Sequence, residues 1–202
     1  MMSDQTRQQF WLASASPRRR ELLGQVGFRF EVMQVEIDET PGPSESPLAY
    51  VRRLAGEKAH AGYRLASLDD GLPVLGADTT VVSGGHILGK PDNWEHFSEL
   101  FRRLSGTTHE VLTGVAICQQ DRVAIAHSAT RVRFRTVSAA EQQRYWETEE
   151  PLGKAGGYAI QGLGAVFVEH IEGSYSGVVG LPLYETTKLL ADYDIHPWQG
   201  PA

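Results

Sequence analysis

The apolar run Phe10-Trp11-Leu12-Ala13 passes without a spacer into Ser14-Ala15-Ser16-Pro17 and on into Arg18-Arg19-Arg20. The run reads as a short buried strand, and Ser16-Pro17 reads as the N-cap and first residue of a helix. A strand feeding straight into a helix start opens an α/β unit. The three arginines sit where positive charge is out of place. Unpaired amides already make a helix start positive, and acidic side chains there normally stabilise by about 0.3–1 kcal/mol each. Two readings follow. Either amides, serine hydroxyls and guanidinium forks converge on a phosphate-bearing ligand, or the arginines splay into solvent and the repulsion is tolerated.

Strands and helices go on alternating downstream. Phe30–Ile37 alternates as a second strand with a register break, and Pro47–Arg64 carries apolar residues at helical spacing. Leu72–Val82 is a buried strand interrupted by polar residues, and Gly84-Gly85 turns it into Ile87-Leu88. Asn93–Leu104 is helical; Val111–Ile117 and Val123–Val137 form a strand pair. Ser138 with Glu141 signals a capping box for a helix over Ala139–Glu147. A glycine-rich loop, Gly153–Gly164, precedes a strand at Val166–Ile171 and a last helix from Pro182 to Tyr193. Arg131, Arg133 and Arg135 alternate with Val132 and Phe134, the pattern of a solvated strand face. The 202 residues show neither a repeat nor a splitting linker, which suits one α/β domain.

Net charge is −6, the wrong balance for a protein that coats nucleic acid; positive charge focused in a cleft would suit a small anion. No run approaches the roughly 18 apolar residues of a membrane span. The polar start shows no signal-peptide core, and the single Cys118 lies in an apolar run that reads as buried packing. The seven histidines offer no pair at zinc-ligand spacing.

Three further features carry chemistry. Asp78 lies inside the apolar stretch Leu75-Gly76-Ala77-Asp78-Thr79-Thr80-Val81, where a carboxylate is costly without a partner. It is hydrogen-bonded structurally, ligates a metal or activates a nucleophile. Lys90 sits in Gly89-Lys90-Pro91-Asp92, either solvated or holding a phosphate as a point charge. Lys154-Ala155-Gly156-Gly157-Tyr158-Ala159-Ile160-Gln161-Gly162-Leu163-Gly164 fits neither a Walker loop nor the dinucleotide fingerprint. The Gln161 amide is donor and acceptor at once, so it can pair with the imide N–H and neighbouring carbonyl of uracil or thymine.

Four ordered segments, Ser14-Ala15-Ser16-Pro17-Arg18-Arg19, Gly76-Ala77-Asp78-Thr79, Gly89-Lys90-Pro91 and Gly173-Ser174-Tyr175-Ser176-Gly177-Val178-Val179-Gly180-Leu181-Pro182, resemble those of the Maf family of nucleotide pyrophosphatases. The resemblance runs from about Phe10 to Tyr193. The stretch around Gln161 resembles the branch hydrolysing dTTP and UTP; the branch acting on 7-methyl-GTP typically has an acidic residue there. Ala15 stands where the family usually has glycine. The resemblance implies an elongated mixed sheet flanked by helices, with two lobes around a cleft, related to the inosine-triphosphate pyrophosphatases. It implies one domain over residues 1–202 with frayed ends at 1–9 and 195–202. It also implies a nucleoside triphosphate substrate, a divalent cation (magnesium, with manganese as the alternative) and a cytoplasmic homodimer. By matching position Asp78 is the proton acceptor, Arg19, Thr79 and Gln161 set base selectivity, and Glu39, Lys58 and Lys90 line the phosphate and metal region. Ser14 and Arg18 complete the phosphate turn, and Glu39 with Asp78 holds the metal. The other role the family suggests is a nucleotide-binding regulator of septum formation with little turnover.

Overall fold

The computed structural model describes residues 8–66, 71–120 and 122–198. Strand β1 (Phe10–Ala13) lies between β2 (Phe30–Met33) and β3 (Val74–Ser83), parallel to both. The remaining strands, β4 (His86–Leu88), β5 (Thr108–Gln119), β6 (Arg122–Phe134) and β7 (Val168–Glu172), pair antiparallel. One seven-stranded sheet results, ordered β2-β1-β3-β5-β6-β7, with β4 attached to β3. This is the mixed α/β sheet expected. β2 is shorter than its alternation suggests: it ends at Met33, paired to Ala13, because β1 turns away at Ser14 and leaves it no partner.

The two faces of the sheet differ in side-chain size, and so do the helices that cover them. Helix α2 (Pro47–Ala66) covers one face, whose middle is built of small residues, Ala13, Gly76, Gly114, Ala116 and Cys118, flanked by Val74, Val82 and Leu112. A Cβ on Gly76 would meet Ala59 N at 2.5 Å and strike Ala55 O, and one on Gly114 would strike Val51 O. The helix backbone therefore lies directly on the strands.

The other face carries the large core. It is covered by α1 (Pro17–Gln25), α3 (Trp94–Leu104), α4 (Ala139–Trp146), the short α5 (Tyr175–Val179) and α6 (Leu183–Ala191). Phe97, Phe101, Phe134, Tyr145 and Phe167 form an aromatic cluster there, with Phe97 and Phe101 centroids 4.4 Å apart. The capping box at Ser138 and Glu141 is formed on both sides. Arg131, Arg133 and Arg135 pair on the surface with Glu172, Glu169 and Glu141, contacts worth about 0–1 kcal/mol each.

The expected strand from Val166 begins at Val168 instead, after a 3-10 turn over Leu163–Phe167. Helix α5 was not anticipated: five residues give no periodicity, although Ser174 caps Gly177 N. Of the ends expected to fray, residues 1–7 and 199–202 lie outside the described part. The inner residues are held: Gln9 N bonds Arg29 O, Ile195 is buried, and Trp198 N bonds Val26 O.

Candidate active site

Strand β3 is paired to β5 along its length, but its other edge is shared. β1 takes Val74–Gly76 and β4 takes Val81–Ser83, so Ala77–Thr80 have no strand neighbour on that side. A cleft of about 680 Å³ opens at this gap. Because alternate residues of a strand face opposite ways, the gap presents Asp78 toward α2 and Thr79 toward the large core. The cleft wraps the strand edge and reaches both.

On the α2 face, Lys58 Nζ lies 2.8 Å from Asp78 Oδ1 and 2.7 Å from Glu39 Oε1. The Lys58 and Asp78 side chains are each only 12% exposed. Gly76 and Gly114 create this contact, since only bare strand backbone lets α2 approach close enough for Lys58 to reach the strand. Burial raises the Glu39 carboxyl, but the Lys58 hydrogen bond and the charges of Lys58, Lys90 and Arg19 more than offset it and hold it below the usual range.

On the opposite face, Arg19 is buried and fixed by uncharged oxygens: Nε donates to Gly180 O at 2.8 Å, Nη1 to Ser14 Oγ at 3.0 Å and Nη2 to Thr79 Oγ1 at 3.3 Å. Desolvation lowers its pKa, and Asp78 pulls it partly back. Thr113 Oγ1 lies 3.0 Å from Thr79 Oγ1 and donates to Gly177 O at 2.8 Å. The Gly173–Pro182 segment thus supplies two carbonyls that orient Arg19 and the threonine pair. Among the described residues no carboxylate is hydrogen-bonded to this guanidinium.

The start of α1 forms a further wall. Ser16 is the N-cap and Pro17 the first helical residue, yet the Ser16 hydroxyl makes no cap bond and the first turn holds no acid. Ala15, in place of glycine, costs nothing, because its φ is not positive. Arg18 Nε is buried without a hydrogen-bond partner, and desolvation lowers this side chain's pKa against the pull of Glu21 and Glu150. Arg20 is exposed. Of the three arginines, only Arg20 is exposed to solvent, while Arg19 is buried and the Arg18 Nε is turned inward.

Ser14, Arg18, Arg19, Glu39, Lys58, Asp78, Thr79, Lys90 and Gln161 all line the one cleft. Lys90 and Gln161 stand exposed on opposite loops, which Gly156 N joins by bonding Gly89 O at 2.9 Å. Sequence reading missed three contributors, Thr113, Tyr145 and Glu150, and gave no role to a fourth, Lys154, though it singled out the stretch that Lys154 opens. Lys154 faces the cleft with Nζ 2.8 Å from Glu150 O. Thr113 supports Thr79 from the next strand, and Tyr145 with Glu150 underlies the Gln161 loop. Only the pairing of strands and loops brings these residues in.

The donor set suits a hard divalent cation. Glu39 and Asp78 approach a common point, the Lys58 ammonium, and both offer oxygen, which magnesium takes from one or two carboxylates together with substrate phosphates. Among the described residues no group of three or more His, Cys, Asp or Glu could hold a metal, so ligand oxygens and water would complete the shell. No helix among the described residues is long and apolar enough to cross a membrane.

Comparison with known proteins follows the same lines. The family described as Maf-like protein matches residues 9–193. A dTTP/UTP pyrophosphatase of Alkalilimnicola ehrlichii is 53% identical over 197 residues, covering 96% of this chain and 97% of that one. Proteins of the same description from Hahella chejuensis and Saccharophagus degradans are 50% and 49% identical, covering 95% of this chain and 96% and 92% of their own. The solved structure of the Staphylococcus aureus Ham1 protein aligns over 79% of each chain with a TM-score of 0.43 and 13% identity.

Proposed function

The chain belongs to the Maf-like family, and from that premise we propose that it is a nucleoside triphosphate pyrophosphatase hydrolysing dTTP and UTP to the monophosphate and pyrophosphate. The observation that carries this reading is the pairing of charge around the β3 edge. Asp78 faces the cleft beside Lys58, opposite the buried Arg19, with Arg18 and Lys90 on the same rim.

The triphosphate lies along the α1 turn, met by the free amides, Arg18 and Arg19, and reached by Lys58 and Lys90. As its oxygens draw the Lys58 ammonium, Asp78 loses its partner and becomes the acceptor for a proton. A water oriented by Asp78 attacks the α-phosphorus and gives that proton to the carboxylate. The bond from the α-phosphorus to its bridging oxygen breaks, and the electron pair leaves with pyrophosphate. Fixed positive groups stabilise the charge that grows there. Glu39 and Asp78 would hold the divalent cation, magnesium or manganese, which when bound neutralises phosphate oxygens. Gln161 reads the imide edge of the base, with Arg19 and Thr79 setting the depth at which it sits.

We assign the activity to a single domain over residues 1–202, acting as a homodimer in the cytoplasm and removing unwanted pyrimidine nucleotides, modified ones included. One assay tests the reaction. The protein is incubated with each common and several modified nucleoside triphosphates, with magnesium or manganese, and the products are identified. Monophosphate and pyrophosphate from UTP and dTTP are expected; diphosphate and phosphate would overturn the bond assigned.

A further inference from the structure

Gln161 projects from a loop whose backbone is held, on both sides of it, by one pair of side chains. The Tyr145 hydroxyl accepts from Ala159 N at 3.3 Å, two residues before Gln161, and donates to Glu150 Oε1 at 2.8 Å. Glu150 then accepts from the two amides beyond Gly162: Leu163 N to Oε2 at 2.9 Å and Gly164 N to Oε1 at 2.9 Å. These amides begin the 3-10 turn over Leu163–Phe167, whose expected cap, Gly162, has no side chain to offer. The carboxylate packs so closely on the loop that a Cβ on Gly162 would strike Glu150 Oε2, and one on Gly164 would lie 2.7 Å from the Tyr145 hydroxyl.

Tyr145 is itself buried. Its ring packs on Phe97, Phe101 and Phe167 in the aromatic core. The loop is therefore tied to the rigid part of the fold through a phenol and a carboxylate, and its two glycines fit only that arrangement.

Reading a base demands this rigidity. An amide that can shift by an ångström or turn over pairs with cytosine as readily as with uracil, because it carries one donor and one acceptor. Discrimination depends on leaving the wrong edge unpaired, which requires a fixed frame. We propose that Tyr145 and Glu150 are positioning residues for base selection, clamping the loop on either side of Gln161 without touching the substrate. The inference rests on the pyrimidine nucleotide reading of the cleft and adds to it the source of that selectivity.

The test uses the full chain and two variants. Tyr145→Phe keeps the ring and the charge but removes the hydroxyl that links Ala159 to Glu150. Glu150→Gln keeps the volume but turns one acceptor into a donor facing an N–H or the phenol. The readouts are kcat and KM for UTP, CTP and GTP, with amide hydrogen exchange at Ala159, Leu163 and Gly164. In both variants exchange at these amides should rise at least tenfold. The kcat/KM ratio of UTP to CTP should fall at least tenfold, mainly through KM for UTP. A purely structural role would lower the melting temperature and leave the ratio unchanged. Wild-type discrimination retained in both variants overturns this inference alone. A wild-type protein that hydrolyses neither UTP nor dTTP overturns the functional reading, and this one with it.

Discussion

Lys58 Nζ stands 2.8 Å from Asp78 Oδ1, joining the middle of α2 to the unpaired edge of β3. The same ammonium reaches Glu39 at 2.7 Å, so one cation holds two carboxylates that would otherwise repel. Removing one partner of a buried pair strands the other charge, at a cost of about 3–5 kcal/mol. A bound nucleotide and cation would replace Lys58 on both acids and so avoid that cost.

Asp78→Asn should abolish hydrolysis while binding persists, since the amide oxygen can still accept from Lys58 but cannot take a proton from water. A fall in kcat of about 10²–10⁴-fold, typical of losing a general base, is expected, with the nucleotide Kd within a few-fold of wild type. Near wild-type turnover would remove Asp78 from the mechanism.

Lys58→Met should have opposite effects on two measurements. Without the ammonium, Glu39 and Asp78 become a better site for a cation, so manganese binding in the absence of nucleotide should tighten. Turnover should fall by about 10²–10³-fold, the usual cost of losing one fixed donor to a developing charge. Titration with manganese by electron spin resonance reads the first and product release the second. Unchanged manganese affinity would show that the ammonium and the ion do not share a place.

Gly76→Ala tests how the pair is built. A methyl there meets the α2 backbone rather than a flexible side chain, so the helix must lift. Overpacking costs about 1–3 kcal/mol, and the rigidity of the obstacle puts this case at the upper end. Chemical denaturation should show that loss, and activity should fall with it as Lys58 is drawn away from Asp78. Full activity in a stable variant would mean the close approach is not needed.

Gln161→Glu replaces a donor and acceptor by an acceptor alone. Preference for uracil and thymine nucleotides should drop about tenfold, the scale of one lost hydrogen bond. An unchanged order across a nucleotide panel would count against base reading by this side chain.

Acid should destabilise the fold through His109. This ring is buried, with Nε2 2.8 Å from the Tyr158 hydroxyl, and desolvation lowers its pKa to about 4. The unfolded chain takes the proton near its ordinary value of 6.5, so between those values it binds more protons than the folded protein. Stability is then full above about pH 6.5 and declines as pH falls toward 4, by of order 3 kcal/mol. Denaturant titrations across that window should show the slope, and His109→Met should flatten it.

The alternation of strands and helices, the Ser16-Pro17 helix start and the capping box at Ser138 were legible because each depends on residues a few positions apart. The same holds for the burial of Cys118 and for the solvated face on which Arg131 and Arg133 stand. Where pattern and structure part, the cause is a distant partner. β2 stops at Met33 because β1 turns away, and the 3-10 turn at Leu163 exists because Glu150 caps it. Thr113, Tyr145 and Glu150 carry no local signal, since what they do is defined by strands and loops that meet them from elsewhere in the chain.

By itself the sequence determined the α/β order of elements, the arginine-rich helix start and the residue types for binding and hydrolysing a pyrimidine triphosphate. Their distances belonged to the tertiary structure. Side-chain periodicity is a property of neighbouring residues and survives in the linear chain, but the gap in the β3 edge depends on where β1 ends and β4 begins. The 2.8 Å contact of Lys58 with Asp78 depends likewise on how closely α2 packs on two glycines. Folding decided which of three adjacent arginines is buried: Arg19 is fixed by Gly180, Ser14 and Thr79, while Arg20 is left in water.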